Sequence, residues 1–260
     1  MLFPSERTIV SVLAHDPDLA ADLDDAERRR AAHAVRARSM RLGVGRWDAS
    51  RDLPWRPGSG DLGLLVLDGL LVRGLDLHGA ACAEVIGSGD VIRPWETGLQ
   101  LTLSRSATWD VVAPSQLAVL DRRALAAVGH WPELVARLVD RTIQRSHGLA
   151  FHLAVCGLPR VDLRLLAVMW NLADRWGKVT PEGVVLPLPL THRVLGQLIA
   201  VRRPSVTTHL GHLRERGLVV PRSDGGWLLG GDPPEELDEI RRQLSVQTGP
   251  AANNGQHGGD

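Results

Sequence analysis

Arg202 and Arg203 are followed by Ser205, Thr207, Thr208, His209 and His212, a run of cationic and hydrogen-bonding side chains. Guanidinium groups pair bidentately with phosphate oxygens or guanine edges, and hydroxyls and imidazoles can donate to either. Thr191 and His192 lie just upstream and Arg222 just downstream. Between Thr191 and Arg222 six arginines (193, 202, 203, 214, 216 and 222) face only Glu215. The whole chain, by contrast, balances 30 basic against 30 acidic residues. A basic island on a neutral chain points to a polyanionic partner more specifically than bulk charge does.

The elements that must position these groups are legible around them. Thr191 is a plausible N-cap, and Val194, Leu195, Leu198 and Ile199 recur at helical spacing. A break at residues 200–202 precedes a second helix, which Arg203-Pro204 opens because proline is tolerated in a first turn. Val206, Leu210 and Leu213 give that helix one apolar face, leaving the polar side chains mostly off it. Gly217 stops the helix. Leu218-Val219-Val220 and Trp227-Leu228-Leu229 then read as two strands around the turn signal Ser223-Asp224-Gly225-Gly226. Two helices and a hairpin make a winged helix-turn-helix, for which double-stranded DNA is the expected partner. The alternative is an ordinary helical pair with solvated arginines.

The rest of the chain supplies a scaffold. Residues 18–38 read as helix, with acids early and arginines late as the helix dipole prefers. From Met40 to about Leu125, short apolar runs such as 64–67, 70–74 and 99–103 alternate with Gly, Asp and Pro, which predicts an antiparallel sandwich or barrel. Asp68-Gly69 is a hairpin candidate. A long helix is expected from about His130 to Cys156. On it Val135, Val139, Thr142, Ser146, Leu149 and Leu153 follow alternating four- and three-residue steps. That pattern is a coiled-coil-like seam for a homodimer, or else an amphipathic face lying on the chain's own barrel. Gly157-Leu158-Pro159 breaks the helix, another helix spans 161–176, and two short strands flank Pro181-Glu182-Gly183. The expected division is an N-terminal domain over 1–129, a dimer helix and hinge over 130–158, a DNA-binding domain over 159–235, and a tail over 236–260 with a disordered end.

This α+β layout, with LTHRVLGQLIAVRRPSVTTHLGHLRERGLV, resembles the Crp/Fnr family of bacterial transcription regulators. Leu149-Ala150-Phe151 is similar to the end of the family's dimer helix, and Asn171-Leu172-Ala173 to a motif in the helix that follows. The resemblance implies a cyclic-nucleotide-binding-like β-roll (jelly-roll) sensor and a homodimer on a palindromic operator, with RNA polymerase as a candidate partner. It places Arg203 where the family reads guanine, and Thr191 and Ser205 at phosphate contacts, with His192 and Arg202 nearby. Two further base-reading positions of the best-known members hold Pro204 and Thr208, so a different operator is expected. The effector is an unknown small molecule. The Gly-Glu-Leu cradle for a cyclic phosphate is missing after Gly89-Asp90, and Arg105-Ser106 is the only remnant of the clamp. Thr142 matches a base-contacting threonine but equally fits the seam.

Other chemistries find little support. Cys82 and Cys156 are too few for an iron–sulfur cluster. His78 and Cys82 are the only barrel candidates for a haem ligand, and a metal enzyme would need several converging ligands. Ser146 and His147 are adjacent on one helix and cannot face each other as nucleophile and base. No cofactor is assigned, and no catalytic constellation is found. No membrane-spanning run or secretory signal is visible, so a cytoplasmic location is expected. Two rival readings stand beside the regulator. One is a ligand-binding β-roll protein whose winged helix makes protein contacts only; the other is a metal-dependent barrel enzyme with a regulatory tail.

Overall fold

In chain order, the computed structural model, which describes residues 8–77, 80–95, 106–231 and 233, begins with β1 (Thr8–Ser11), α1 (Val12–His15), a 3-10 turn (Pro17–Ala20) and α2 (Asp25–Ala34). Next come β2 (Arg36–Leu42), β3 (Gly45–Trp47), α3 (Ala49–Asp52), β4 (Gly63–Leu77), β5 (Ala80–Gly87), β6 (Val91–Ile92) and β7 (Ser106–Leu120). Helices α4 (Arg122–Val128), α5 (Pro132–Cys156) and α6 (Val161–Trp176) follow. The chain then forms β8 (Lys178–Thr180), β9 (Gly183–Leu186), α7 (His192–Leu198), α8 (Arg203–Glu215), β10 (Val219–Pro221) and β11 (Trp227–Leu229).

The N-terminal strands form one antiparallel sheet in the order β1-β2-β7-β4-β5, with β3 on β7 and β6 on β4. Up to Leu67 alternation sorts β4 onto two cores, as a period of two requires, and the register shifts between Val66 and Leu71 then reset the pattern. Leu64, Val66 and Leu71 enter the roll beside Trp47, Ile86 and Trp109. Leu65 and Leu67 face a second core built from Val12, Leu13, Leu19, Ala31 and the α5 residues Leu134 and Leu138. The C-terminal elements carry a four-stranded sheet, β10-β11-β9-β8, against which α6 and α8 pack, while α7 lies on α8 and on β5 of the N-terminal sheet. Their core is continuous with the β4–β5 hairpin through Leu70, Val72 and Val85.

Two expectations are corrected. The helix predicted over 18–38 is a 3-10 turn and then α2, capped by the Asp24 carboxylate accepting from the Glu27 N–H at 2.7 Å, and it ends at Ala34. Arg36–Leu42 is a strand instead, because it pairs with both β1 and β7 and buries Ala37, Ser39, Met40 and Leu42. Asp68-Gly69 is no hairpin turn. It lies inside β4, where the register against β7 shifts opposite Pro114, a residue with no N–H for the ladder. Gly69 has φ +103°, and a Cβ there would meet Ser115 and the Pro114 carbonyl within 2.6 Å, so only glycine fits the bulge. The strand expected over 99–103 and the tail over 236–260 lie outside the described residues. So do Arg105 and His78, and the Ser106 side chain.

Candidate nucleic-acid interface

The two helices meet at a turn whose geometry is tightly constrained. Thr191 Oγ1 accepts from the Val194 N–H at 3.3 Å and caps α7. Val201 N–H returns to the Gly196 carbonyl at 2.9 Å. A Cβ on Gly196 would lie 2.7 Å from the Val201 carbonyl, so the close approach of the turn excludes a side chain there. Ala200 adopts φ +55°, a left-handed conformation that costs a non-glycine residue about 1–2 kcal/mol. Helix α8 then begins with Pro204 in its first turn. Val206, Leu210 and Leu213 are buried at i, i+4 and i+7, which fixes the rotation of the helix about its axis.

That rotation leaves Arg202, Arg203, Pro204, Thr207, Thr208 and His212 exposed, while Ser205 and His209 are half-buried. The rings of His209 and His212 meet edge to face with centroids 6.0 Å apart. Arg193, Arg202, Arg203, Arg214 and Arg216 form no ion pair among the described residues, so their charge is available to a partner. Arg222 differs. It sits on the wing, 3.1 Å from the Asp224 carboxylate. The Gly226 N–H first, and Arg222 second, hold Asp224 below the usual carboxylate range. Asp224 lies two residues beyond the stretch whose charges were counted, so the sequence count overstates the wing's free charge.

The two threonines have distinct roles. Thr207 Oγ1 donates to the Arg203 carbonyl at 3.1 Å and lies 2.9 Å from His192 Nδ1. With its one proton engaged, the hydroxyl accepts from His192, which places the imidazole proton on Nδ1. The same ring stands 6.2 Å from Trp227 of the wing, so His192 ties α7, α8 and β11 together. Thr208 Oγ1 donates to the Pro204 carbonyl at 3.3 Å. One further residue carries no motif that would have marked it in advance. Arg164 on α6 donates to the carbonyls of Leu158 at 2.6 Å and Ile199 at 3.3 Å, bridging the hinge to the end of α7.

On α5 the seam residues Val135, Val139, Thr142, Ser146, Leu149 and Leu153 are all exposed, with Ile143 beside them. The helix contacts its own domain through another face. There Leu134, Leu138 and Val155 are buried. Arg137 reaches Asp22 at 2.5 Å, Arg141 pairs with Asp16, and Arg145 grips Glu84 bidentately at 2.6 and 2.9 Å. The seam is therefore not the face that lies on the barrel. The N-terminal domain also touches the C-terminal elements directly. Arg175 pairs with the buried Asp90 at 2.9 Å, and the Trp176 ring packs on Gly87. Cys156 is half-buried with its thiol pushed up by that burial, and Cys82 is exposed on β5. Among the described residues no three His, Cys, Asp or Glu side chains could hold a metal, and no helix is long and apolar enough to cross a membrane.

Residues 163–229 match the family model of the Crp-like helix-turn-helix domain. A search of curated proteins finds no match. Solved structures with the same architecture include a mutant of CooA from Carboxydothermus hydrogenoformans, with TM-score 0.60 and 16% identity, covering 90% of this chain and 97% of that one. A cyclic nucleotide-binding domain containing protein from Listeria monocytogenes aligns with TM-score 0.58 and 12% identity over 82% and 96%. A CRP/FNR-family transcriptional regulator from Thermus thermophilus aligns with TM-score 0.53 and 20% identity over 78% and 98%. At these identities the structural matches establish a shared fold.

Proposed function

We propose, from the premise that this chain has the Crp/Fnr transcription-regulator fold and a Crp-like helix-turn-helix domain, that it acts as a cytoplasmic homodimer binding a palindromic DNA operator. The observation that carries the reading is the pair Arg202 and Arg203. They stand exposed and, among the described residues, without ion-pair partners at the start of a helix whose opposite face is locked by Val206, Leu210 and Leu213. Thr191, His192, Ser205, Thr207, Thr208, His209, His212 and Arg222 complete the proposed surface, but with different weights. Thr207 and His192 brace the helices through their shared bond, and Arg222 meets DNA already paired with Asp224. The exposed seam from Val135 to Leu153 supports the second half of the dimer. The N-terminal roll is the sensor of an effector that these residues do not name, and RNA polymerase is the expected protein partner. The protein acts by binding, with no catalytic step.

Selection of an operator from random duplexes, followed by gel shifts from 50 to 200 mM salt, tests the reading. Arg203→Ala should weaken specific binding by about 1–3 kcal/mol per contact and relax preference at one base pair of each half-site. Arg202→Ala should weaken all sequences alike and lower the salt slope by about 0.9 per lost phosphate contact. Wild-type binding by both variants would remove the recognition-helix assignment.

A further inference from the structure

We infer that Thr208 reads a thymine in the operator through its methyl group. The inference rests on the DNA-binding reading above and names part of what the surface recognises. Thr207 and Thr208 are both exposed on the outer side of α8, away from Val206, Leu210 and Leu213. Thr207 is turned toward α7, where its oxygen meets His192 as well as the Arg203 carbonyl, whereas Thr208, one residue on, lies on the side of α8 opposite the buried Val206, Leu210 and Leu213. Moving Thr207 would release the contact that braces α7 against α8. Among the described residues Thr208 has a single side-chain bond, to the Pro204 carbonyl one turn back. That bond turns the hydroxyl proton toward the helix backbone and makes the methyl the group left to meet a partner.

The neighbours on the helix support the same chemistry. Pro204, one turn before Thr208, has no hydrogen-bonding side chain, and Gly211, three residues after it, has open space where a Cβ would stand. A flat, apolar strip of Pro204, Thr208 and Gly211 therefore runs beside the charged Arg203. The thymine 5-methyl is the one apolar group that a major groove presents. Arg203 supplies the charged reading and Thr208 the apolar one.

Substituting deoxyuridine for thymidine removes that methyl and changes nothing else in the pairing edge, so it tests the inference at single-atom-group resolution. On the selected operator, each thymine is replaced in turn, symmetrically in both half-sites, and binding is measured for wild type, Thr208→Ser, Thr208→Val and Arg203→Ala. The loss of one buried methyl contact predicts about fourfold weaker wild-type binding per half-site at one position, and about fifteenfold for both. Thr208→Ser keeps the hydroxyl and should lose the preference at that position, Thr208→Val keeps the methyl and should retain it, and Arg203→Ala should retain it at lower overall affinity. Equal binding of the thymidine and deoxyuridine operators at every position, or a preference that survives Thr208→Ser, would overturn the inference while leaving a selected operator standing. Failure to select any operator would overturn the DNA-binding reading and this inference with it.

Discussion

Leu153 offers the sharpest test of the proposed dimer. It lies in the last turns of α5 and is 77% exposed, the most open apolar residue of the seam. Together the exposed fractions of Val135, Val139, Ile143, Leu149 and Leu153 amount to about two and a half side chains' worth of apolar surface per protomer. At about 2 kcal/mol for each side chain fully buried, pairing two copies would gain about 10 kcal/mol. Association itself costs about 4–15 kcal/mol, so the balance is close and single positions matter. Leu153→Glu forfeits about 1.5 kcal/mol per protomer and about 3 kcal/mol per dimer before any cost of desolvating the two carboxylates. That corresponds to a dimer dissociation constant raised about a hundredfold.

Sedimentation equilibrium over a micromolar concentration series measures the shift directly. Gln144→Glu is the matched control, since Gln144 is exposed and lies off the seam, and it should change the constant less than about twofold. The monomeric variant should also bind an isolated half-site but lose its preference for the full palindrome. If Leu153→Glu dimerises as tightly as wild type and Gln144→Glu, this face of α5 is not the dimer contact, and the argument from exposure fails.

Three other perturbations follow from the geometry. Gly196→Ala forces a Cβ to within 2.7 Å of the Val201 carbonyl and should destabilise the chain by about 1–3 kcal/mol in urea unfolding, and an unchanged midpoint would contradict the tight turn. Arg175→Ala leaves the buried Asp90 carboxylate with the Gly87 N–H at 2.9 Å, so it should cost about 1–3 kcal/mol. Hydrogen exchange around Gly157–Arg160 should quicken, and exchange at the wild-type rate would show that the contact does not hold the domains. His152, partly buried beside Glu84, is held below the usual imidazole range by burial, which outweighs that carboxylate. The unfolded chain therefore takes up this proton first, and the contribution is complete above about pH 6.5 and declines as pH falls through the folded pKa. Between pH 7 and pH 5 wild type should lose more stability than His152→Leu, and parallel profiles would count against the assignment.

What was legible in the sequence was local. Thr191 caps α7, Pro204 opens α8, and the Ser223–Gly226 turn folds the wing, because caps, first-turn prolines and turn glycines act within a few residues. Arg36–Leu42 was misread because its strand identity comes from partners about thirty residues upstream and eighty downstream, while its arginines read equally well as a helix end. Asp68-Gly69 carried a genuine glycine signal, but a positive φ serves a bulge as readily as a turn, and Pro114, which decides between them, is far away in sequence. Thr207 and Thr208 were indistinguishable as letters. Only the position of His192 separates the bracing hydroxyl from the free methyl.

The two faces of α5 differ in kind, and that difference bears on how a signal could travel. The seam is apolar at most of its positions, so its gain depends on area and declines smoothly with displacement. The face toward the roll is held by Arg137, Arg141 and Arg145, four residues apart, each on a carboxylate from a different segment: Asp22, Asp16 and Glu84. Bidentate guanidinium pairs are directional and change in steps, so this face favours discrete settings of the helix against the roll. Val155 in the last turn of α5 already belongs to the core that contains Leu165, Leu198 and Val206. One residue past the helix end the chain enters the hinge, where Arg164 joins Leu158 to Ile199 at the end of α7. Val155 and Arg164 thus link the end of α5 to the turn that aims Arg203.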